Sequence, residues 1–447
     1  MTNRRRRIAR KAGADRHFLI SQTDCRRIEE APKGDLERTR TALMPAFPDL
    51  LYGHGLRQEA TERLNACRRF GVIVLRPDDL PAAAEVAPSE SGENRLASIA
   101  ARVEAFCIRI GAFWGVDDAG CLAVHVPDRE APECLRLGHS LQDEIQTHTG
   151  RTVTAGVAAY PTLDYPRQQT LDNAHKALDH AAFFGPGSRV AFDAVSLNIS
   201  GDAYYERGDI LSAVREFERA LALDETNVNV VNSLGVCQAV LGDYDRALEQ
   251  FSTALRLDQG EYMAVYNIGL IHALRGRRES ALGFFLKAHE LRGDVYEILL
   301  QTGKLYLEMG QPQAARPYLE HASRLKGKSG SVYRLLGDCY ADLGPPEKAI
   351  SAYKKAVKAN PGDATALSAL GRLFDEKGEN PEIALVFCKE SVRLAPDNAV
   401  FRRRLGALHF KMNHLEEALE QFEHAGRLGL DAGQDIHQVR ERMEGKN

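Results

Sequence analysis

The chain has 447 residues, enough for two or three domains, and its 44% apolar content is ordinary for a globular protein in water. No apolar run approaches the ~20 residues of a membrane span. The formal net charge of −4 is unevenly spread: the first forty residues carry +6 and the remainder −10. Eight cysteines without a CxxC pair or a zinc spacing read as scattered, reduced thiols, which excludes a disulfide scaffold and a zinc finger.

Residues 1–45 read as a basic, partly disordered leader with a short helix. Arg4–Arg7, Arg10 and Lys11 form its charge run. Such a run suits nucleic acid or acidic lipid, or a solvated tail. No interleaved aromatics or recognition helix accompany it, which argues against nucleic-acid binding. The run also lacks the apolar segment of a secretory signal, so the expected compartment is the cytoplasm.

Residues 46–193 have the texture of an α/β domain. Phe70–Leu75, Cys121–Val126, Arg151–Ala158 and Arg189–Phe192 are short β-rich runs. Gln58–Arg69, Asn94–Ile110, Glu130–Thr147 and Leu171–Phe184 are helical stretches between them. Helices packed on a sheet follow from that alternation. Pro81–Ser91 is a loop by composition. Trp114, the only tryptophan, is expected to pack beside the turn that follows it. His175 and His180 are five apart and share no ligand face, so they read as structural rather than metal-binding.

The order of these elements resembles the GGDEF domain of diguanylate cyclases over roughly 140 residues. Leu51-Tyr52-Gly53 with Arg57, Thr154–Ala158 and Ala174–Gly187 carry the resemblance. The family's acidic pair would fall on Gly120 and Cys121, and its first metal-binding aspartate on Arg76. Its guanine-reading asparagine falls on Ala84 and its closing-helix lysine on Ala182. An arginine cannot ligate Mg²⁺, which demands hard oxygen ligands. Asp78, Asp79, Asp117 and Asp118 lie near, and a register slip restores one or two positions but not all. Phosphoryl transfer depends on metal and positioned charge, so the domain is expected to be catalytically inactive. Of the family's inhibitory Arg-x-x-Asp, Arg109 stands and the aspartate is replaced by Ala112. Arg109 is therefore the one candidate for nucleotide binding, against a helix-end role.

From 194 onward a glycine recurs at Gly201, Gly235, Gly269, Gly303, Gly337, Gly371 and Gly406. A period near 34 marks stacked helix-turn-helix units. In the first unit Gly201, Tyr204, Gly208, Ala213, Phe217 and Ala220 alternate small with large, which lets two helices approach and fills the space between them. The pattern resembles the tetratricopeptide repeat family. Seven units are expected over 194–432, starting at Ala194, Val228, Tyr262, Tyr296, Gly330, Ala364 and Ala399. The sixth carries one extra residue near Asn380-Pro381, and a polar capping helix and tail occupy 433–447.

By that resemblance the first helix of each unit lines a concave face. The inward positions include Asn198, Asn232, Val236, Val240, Met263, Tyr266, Asn267, Leu270, Leu274, Leu300, Leu307 and Arg334. They describe a surface apolar at its centre and charged at its ends, suited to a peptide or helix of a partner protein. The asparagines are placed to hydrogen-bond an extended backbone. An alternative is that the apolar strip packs on the chain's own amino-terminal domain or on its own termini. The expected whole is a multidomain protein, α/β followed by an all-α solenoid, with no cofactor and no metal. It reads as a bacterial-type signalling or assembly adaptor. The alternatives are a sensor of GTP or cyclic di-GMP coupled to partner binding, and an active diguanylate cyclase.

Overall fold

The computed structural model describes residues 35–78, 90–327, 329–344, 346–378 and 380–445. The basic run of the leader, Asp79, Ala84 and most of the Pro81–Ser91 loop lie outside the described residues. The chain divides into two compact units, 1–267 and 268–447, with the division inside the helix Tyr262–Leu274.

The first unit opens with helices Asp35–Leu43 and His54–Leu64 and then builds a five-stranded sheet. Its strands are β1 (Phe70–Pro77), β2 (Phe113–Val116), β3 (Leu122–Pro127), β4 (Val153–Tyr160) and β5 (Arg189–Ala191), in the order β2-β3-β1-β4-β5. The pairs are antiparallel except β4 with β5. Alternation sends Ile73, Leu75, Val124, Val126, Ala155 and Val157 to one face, where they meet helices Glu90–Ile110 and Ala131–Thr149. Phe70, Val72, Val74, Ala123 and Ala158 point to the other face, toward helices His54–Leu64 and Gln169–Ala182. β2 was not among the expected strands. It is four residues long with a glycine at its third position, too short for a periodic signal.

At Gly156 on β4 the helix Gln169–Ala182 lies against the strand backbone. A Cβ there would collide with Ala174 O, Leu178 N and Leu178 Cα. The small residue in Thr154–Ala158 is thus a condition for that helix to pack.

The first repeats follow without a break in packing. Tyr165 joins Leu197, Ala213, Phe217 and Val230 in one apolar cluster. Lys176 reaches Glu216 at 2.8 and 2.7 Å, one distance to each carboxylate oxygen, and both side chains are largely buried. His180 approaches Asp193 at 3.2 Å. Asp193 in turn caps the helix Ala194–Glu206 by accepting from the backbone N–H of Ser196.

The second unit continues the helical pairs. Helix starts at Tyr296, Gly330, Ala364 and Ala399 coincide with the expected register. The second helices of these pairs are Pro312–Leu325, Pro346–Ala359, Pro381–Leu394 and Leu415–Arg427, and Gly433–Glu444 closes the chain with Val439 buried. In the sixth pair the inserted residue falls in the turn, where Asn380 caps the following helix. First helices elsewhere turn at a glycine such as Gly242, φ 85°. The seventh pair lacks that glycine and uses Asn413, φ 63°, a residue that tolerates the left-handed region.

Candidate functional site

Two places carry side chains worth weighing: the first helices of the repeats and the β2–β3 turn. In the first unit most expected inward residues are enclosed. Val236, Met263 and Tyr266 are 2%, 7% and 2% exposed. Asn232 and Asn267 are fully buried, and Asn267 Nδ2 donates to Asn232 Oδ1 at 3.1 Å. This corrects the expectation that these asparagines face an extended peptide: the two buried amides are hydrogen-bonded to each other across successive first helices. Val240 is half-buried. Asn198 is also half-buried, its Nδ2 3.4 Å from Asp202 Oδ2 and its Oδ1 buried without a hydrogen-bond partner.

In the second unit the corresponding residues are more open. Leu274 is 58% exposed, and Leu270, Leu300 and Leu307 are half-buried. Leu270 and Leu274 are one turn apart on one face of their helix, and Leu300 and Leu307 are two turns apart on theirs. The charged positions farther along are paired with one another. Arg334 lies 3.2 Å from Asp338 and 3.6 Å from Asp363, and Tyr353 donates to Asp338 at 2.7 Å. Arg372 meets Glu376 at 2.7 Å, and Lys411 meets Asp375 at 2.6 Å. Burial raises the Asp338 carboxyl above its ordinary value despite Tyr353 and Arg334.

At the β2–β3 turn, Asp117 is a buried carboxylate. Its Oδ1 accepts from the backbone N–H of Ala119 at 2.9 Å and of Cys121 at 3.0 Å. Its Oδ2 lies 2.6 Å from His175 Nε2. Burial opposes the charged form of His175, but the hydrogen bond and charge of Asp117, with Asp179 and Asp172, outweigh it and raise the imidazole above its usual range. Cys121 brings its sulfur within 4.8 Å of both groups. His175 therefore has a cluster, though not with His180. The spacing of His175 and His180 could not show this grouping, because the partners stand 54 and 58 positions away. His125, two residues beyond Ala123 on β3, is buried and stacks on Phe113 with ring centroids 4.9 Å apart. Burial holds its imidazole down at about 4.

The other carboxylates near the turn are engaged. Asp118 takes Arg57 at 2.6 Å, and Arg57 also reaches Asp172 at 3.3 Å. Asp78 accepts from the backbone N–H of Gly187 at 2.7 Å and from Thr154 Oγ1. Arg109 is an exposed guanidinium held by Glu144 through two hydrogen bonds, 2.7 and 3.2 Å, and lies over the Phe106 ring. Trp114 sits on β2 and packs edge-to-face on Phe47, centroids 5.5 Å apart.

Residues 200–261, 239–294, 300–364 and 342–399 each match the family model of the tetratricopeptide repeat, and the chain carries these repeats. No curated protein matches the chain. Among solved structures it is similar to YrrB, described as a TPR protein with an unusual peptide-binding site. That likeness has 24% identity over 41% of this chain and 95% of that one, with a TM-score of 0.38. PilF of Pseudomonas aeruginosa shares 22% identity over 47% of this chain and 95% of its own, TM-score 0.44. The Cut9–Hcn1 structure of the APC/C shares 17% over 71% and 56%, TM-score 0.42. Among the described residues no helix is long and apolar enough to cross a membrane.

Proposed function

We propose that this chain of tetratricopeptide repeats is a non-enzymatic scaffold that binds a peptide or helix of a partner protein on the first helices of its second unit. The observation that carries the reading is Leu274, a large apolar side chain 58% exposed, with Leu270 one turn before it on the same face. Leu300 and Leu307, half-buried and two turns apart, extend the apolar surface onto the next first helix, where the positions equivalent to Leu270 and Leu274 hold Lys304 and Glu308. An amphipathic segment that covers such leucines is the partner chemistry they favour. Arg334 is tied to two carboxylates and is left with a supporting part. The test is affinity capture with the full-length protein, followed by the same capture with Leu270→Glu and Leu274→Glu. A charge in an apolar contact is expected to remove the partner while the thermal unfolding midpoint stays near that of the parent. A partner retained by both variants places the contact elsewhere.

We infer further that the α/β region is a cyclase-like domain that performs no cyclase chemistry. The support is chemical: the positions that resemble the family's metal and acid sites hold Arg76, Gly120 and Cys121. None offers the hard oxygen that Mg²⁺ requires. Asp78 and Asp118 are each committed to a bond within the domain, and Asp117 stands among nitrogen and sulfur donors that do not suit Mg²⁺. Arg109, the remaining candidate for a nucleotide, is bonded to Glu144. Calorimetric titration of GTP and cyclic di-GMP tests this reading. Tight binding lost in Arg109→Ala supports the sensor alternative instead, and turnover of GTP with Mg²⁺ overturns the inactive assignment.

A further inference from the structure

The β2–β3 turn and the helix Gln169–Ala182 bring together three side chains of different donor type. Asp117, Cys121 and His175 offer a carboxylate oxygen, a sulfur and a ring nitrogen, all within 4.8 Å of one another. Asp117 and Cys121 are buried and His175 is partly so. Nothing in the repeats or in the proposed scaffold role uses them.

The backbone prepares the arrangement. The N–H groups of Ala119 and Cys121 both point at Asp117 Oδ1. They fix the carboxylate plane and leave Oδ2 directed at His175. The same turn starts β3 at Leu122, so Cys121 is set at the strand's edge with its side chain on the face that meets the helix. Asp172 and Asp179 on the helix add negative potential around His175. Arg57 neutralises Asp118, the carboxylate next in sequence, and so keeps it from competing.

Mixed oxygen, nitrogen and sulfur donors exclude a hard cation such as Mg²⁺ or Ca²⁺ and suit Zn²⁺, which accepts all three. Zn–S of about 2.3 Å and Zn–N or Zn–O of about 2.0–2.1 Å at tetrahedral angles imply donor separations of about 3.3–3.6 Å. The 2.6 Å contact between His175 and Asp117 has to open by roughly 1 Å, and the sulfur, which lies within 4.8 Å of both groups, has to close by no more than about 1.3 Å. Side-chain rotation supplies movements of that size. We propose that Asp117, Cys121 and His175 bind one Zn²⁺, with a water in the fourth position. The ion would clamp the turn to the helix Gln169–Ala182. That helix also carries Lys176 and His180, which reach Glu216 and Asp193 in the first repeat, so the metal would stiffen the junction on which the repeats begin.

The test uses the full-length protein after chelator treatment and desalting. Zinc titration is expected to give one tight site per chain and to raise the thermal unfolding midpoint. Cobalt in its place is expected to give the intense visible bands of a tetrahedral ion and a thiolate-to-metal charge-transfer band. Cys121→Ser should remove the charge-transfer band. Both Cys121→Ser and His175→Gln should weaken zinc by more than about 100-fold, beyond the loss seen for outer-shell partners. Cys67→Ser and Cys107→Ser should leave it unchanged. If Cys121→Ser does not fold, the cobalt spectrum of the parent and zinc affinity of Asp117→Asn decide. No stoichiometric zinc, a pale cobalt spectrum without the thiolate band, or affinity unchanged by these substitutions would each overturn the proposal and leave a His175–Asp117 ion pair only.

Discussion

A Cβ built on Gly235 would stand 2.6 Å from Cε1 of Phe251, a ring that is itself fully buried. The two residues are sixteen apart, one on each helix of the second repeat. The same relation joins Gly201 to Phe217, Gly269 to Phe285 and Gly337 to Tyr353. In the sixth repeat it joins Gly371 to Cys388, one position later because of the inserted residue. The recurring glycine is therefore the seat of a side chain from the partner helix, a ring in most repeats and Leu319 or Cys388 in the fourth and sixth.

Gly235→Ala is expected to destabilise the protein by about 1–2 kcal/mol. Overpacking against a fixed ring costs about 1–3 kcal/mol and exceeds the roughly 1 kcal/mol that alanine gains in helix propensity. Gly283→Ala is the matched control. Gly283 is an exposed helical glycine with nothing within 4 Å of a built Cβ. It should gain about 0.5–1 kcal/mol. Chemical denaturation of both variants checks the pair, and equal signs would refute the packing account.

His125 predicts an acid sensitivity. Its folded value is depressed to about 4 by burial, against 6.5 when exposed. Its contribution is fully present above pH 6.5 and is lost as pH falls through the window from 6.5 to 4. His125→Phe keeps a ring against Phe113 and removes the titration. The stability lost between pH 7 and pH 5 should be smaller in the variant by about 2 kcal/mol. His175 has the opposite sign, with a raised value whose contribution is present at low pH and fades as pH rises through it. It is present in both proteins and cancels in the comparison. Parallel pH profiles of parent and variant would remove His125 as the source.

Lys176 and Glu216 predict a strong asymmetry. Lys176→Met leaves the Glu216 carboxylate buried without its cation and is expected to cost about 3–5 kcal/mol. Lys176→Met with Glu216→Leu should recover most of that loss, because two apolar side chains need no compensation. Because the pair links the α/β region to the first repeat, the single variant should also lower the unfolding midpoint of the first unit. A single variant as stable as the parent would show the pair to be dispensable.

The register of the repeats was legible residue by residue. Starts at Ala194, Val228, Tyr262, Tyr296, Gly330, Ala364 and Ala399 are the first residues of seven helices. The units repeat the same local constraints: a glycine under a side chain of the second helix, a left-handed turn and, in several units, an N-cap such as Asp243. Four of the five strands were legible for the same local reason. The α/β/α layering of the first unit was legible only in outline, since β2 carries too few residues to show a period.

What the sequence by itself determined is the set of short-range contacts, where spacing along the chain equals neighbourhood in space. Tertiary structure alone decided which inward residues stay open. Asn232 and Asn267 lie 35 apart in corresponding places of successive units, and their amides pair instead of facing a ligand. Tertiary structure also decided that Asp117 and Cys121 meet His175. That meeting requires a hairpin to fold, the helix Gln169–Ala182 to cross it, and Gly156 to let the helix approach. The physical reason is common to both cases. Burial and hydrogen bonding act between groups that are close in space, and a one-dimensional pattern reports that closeness only when it repeats.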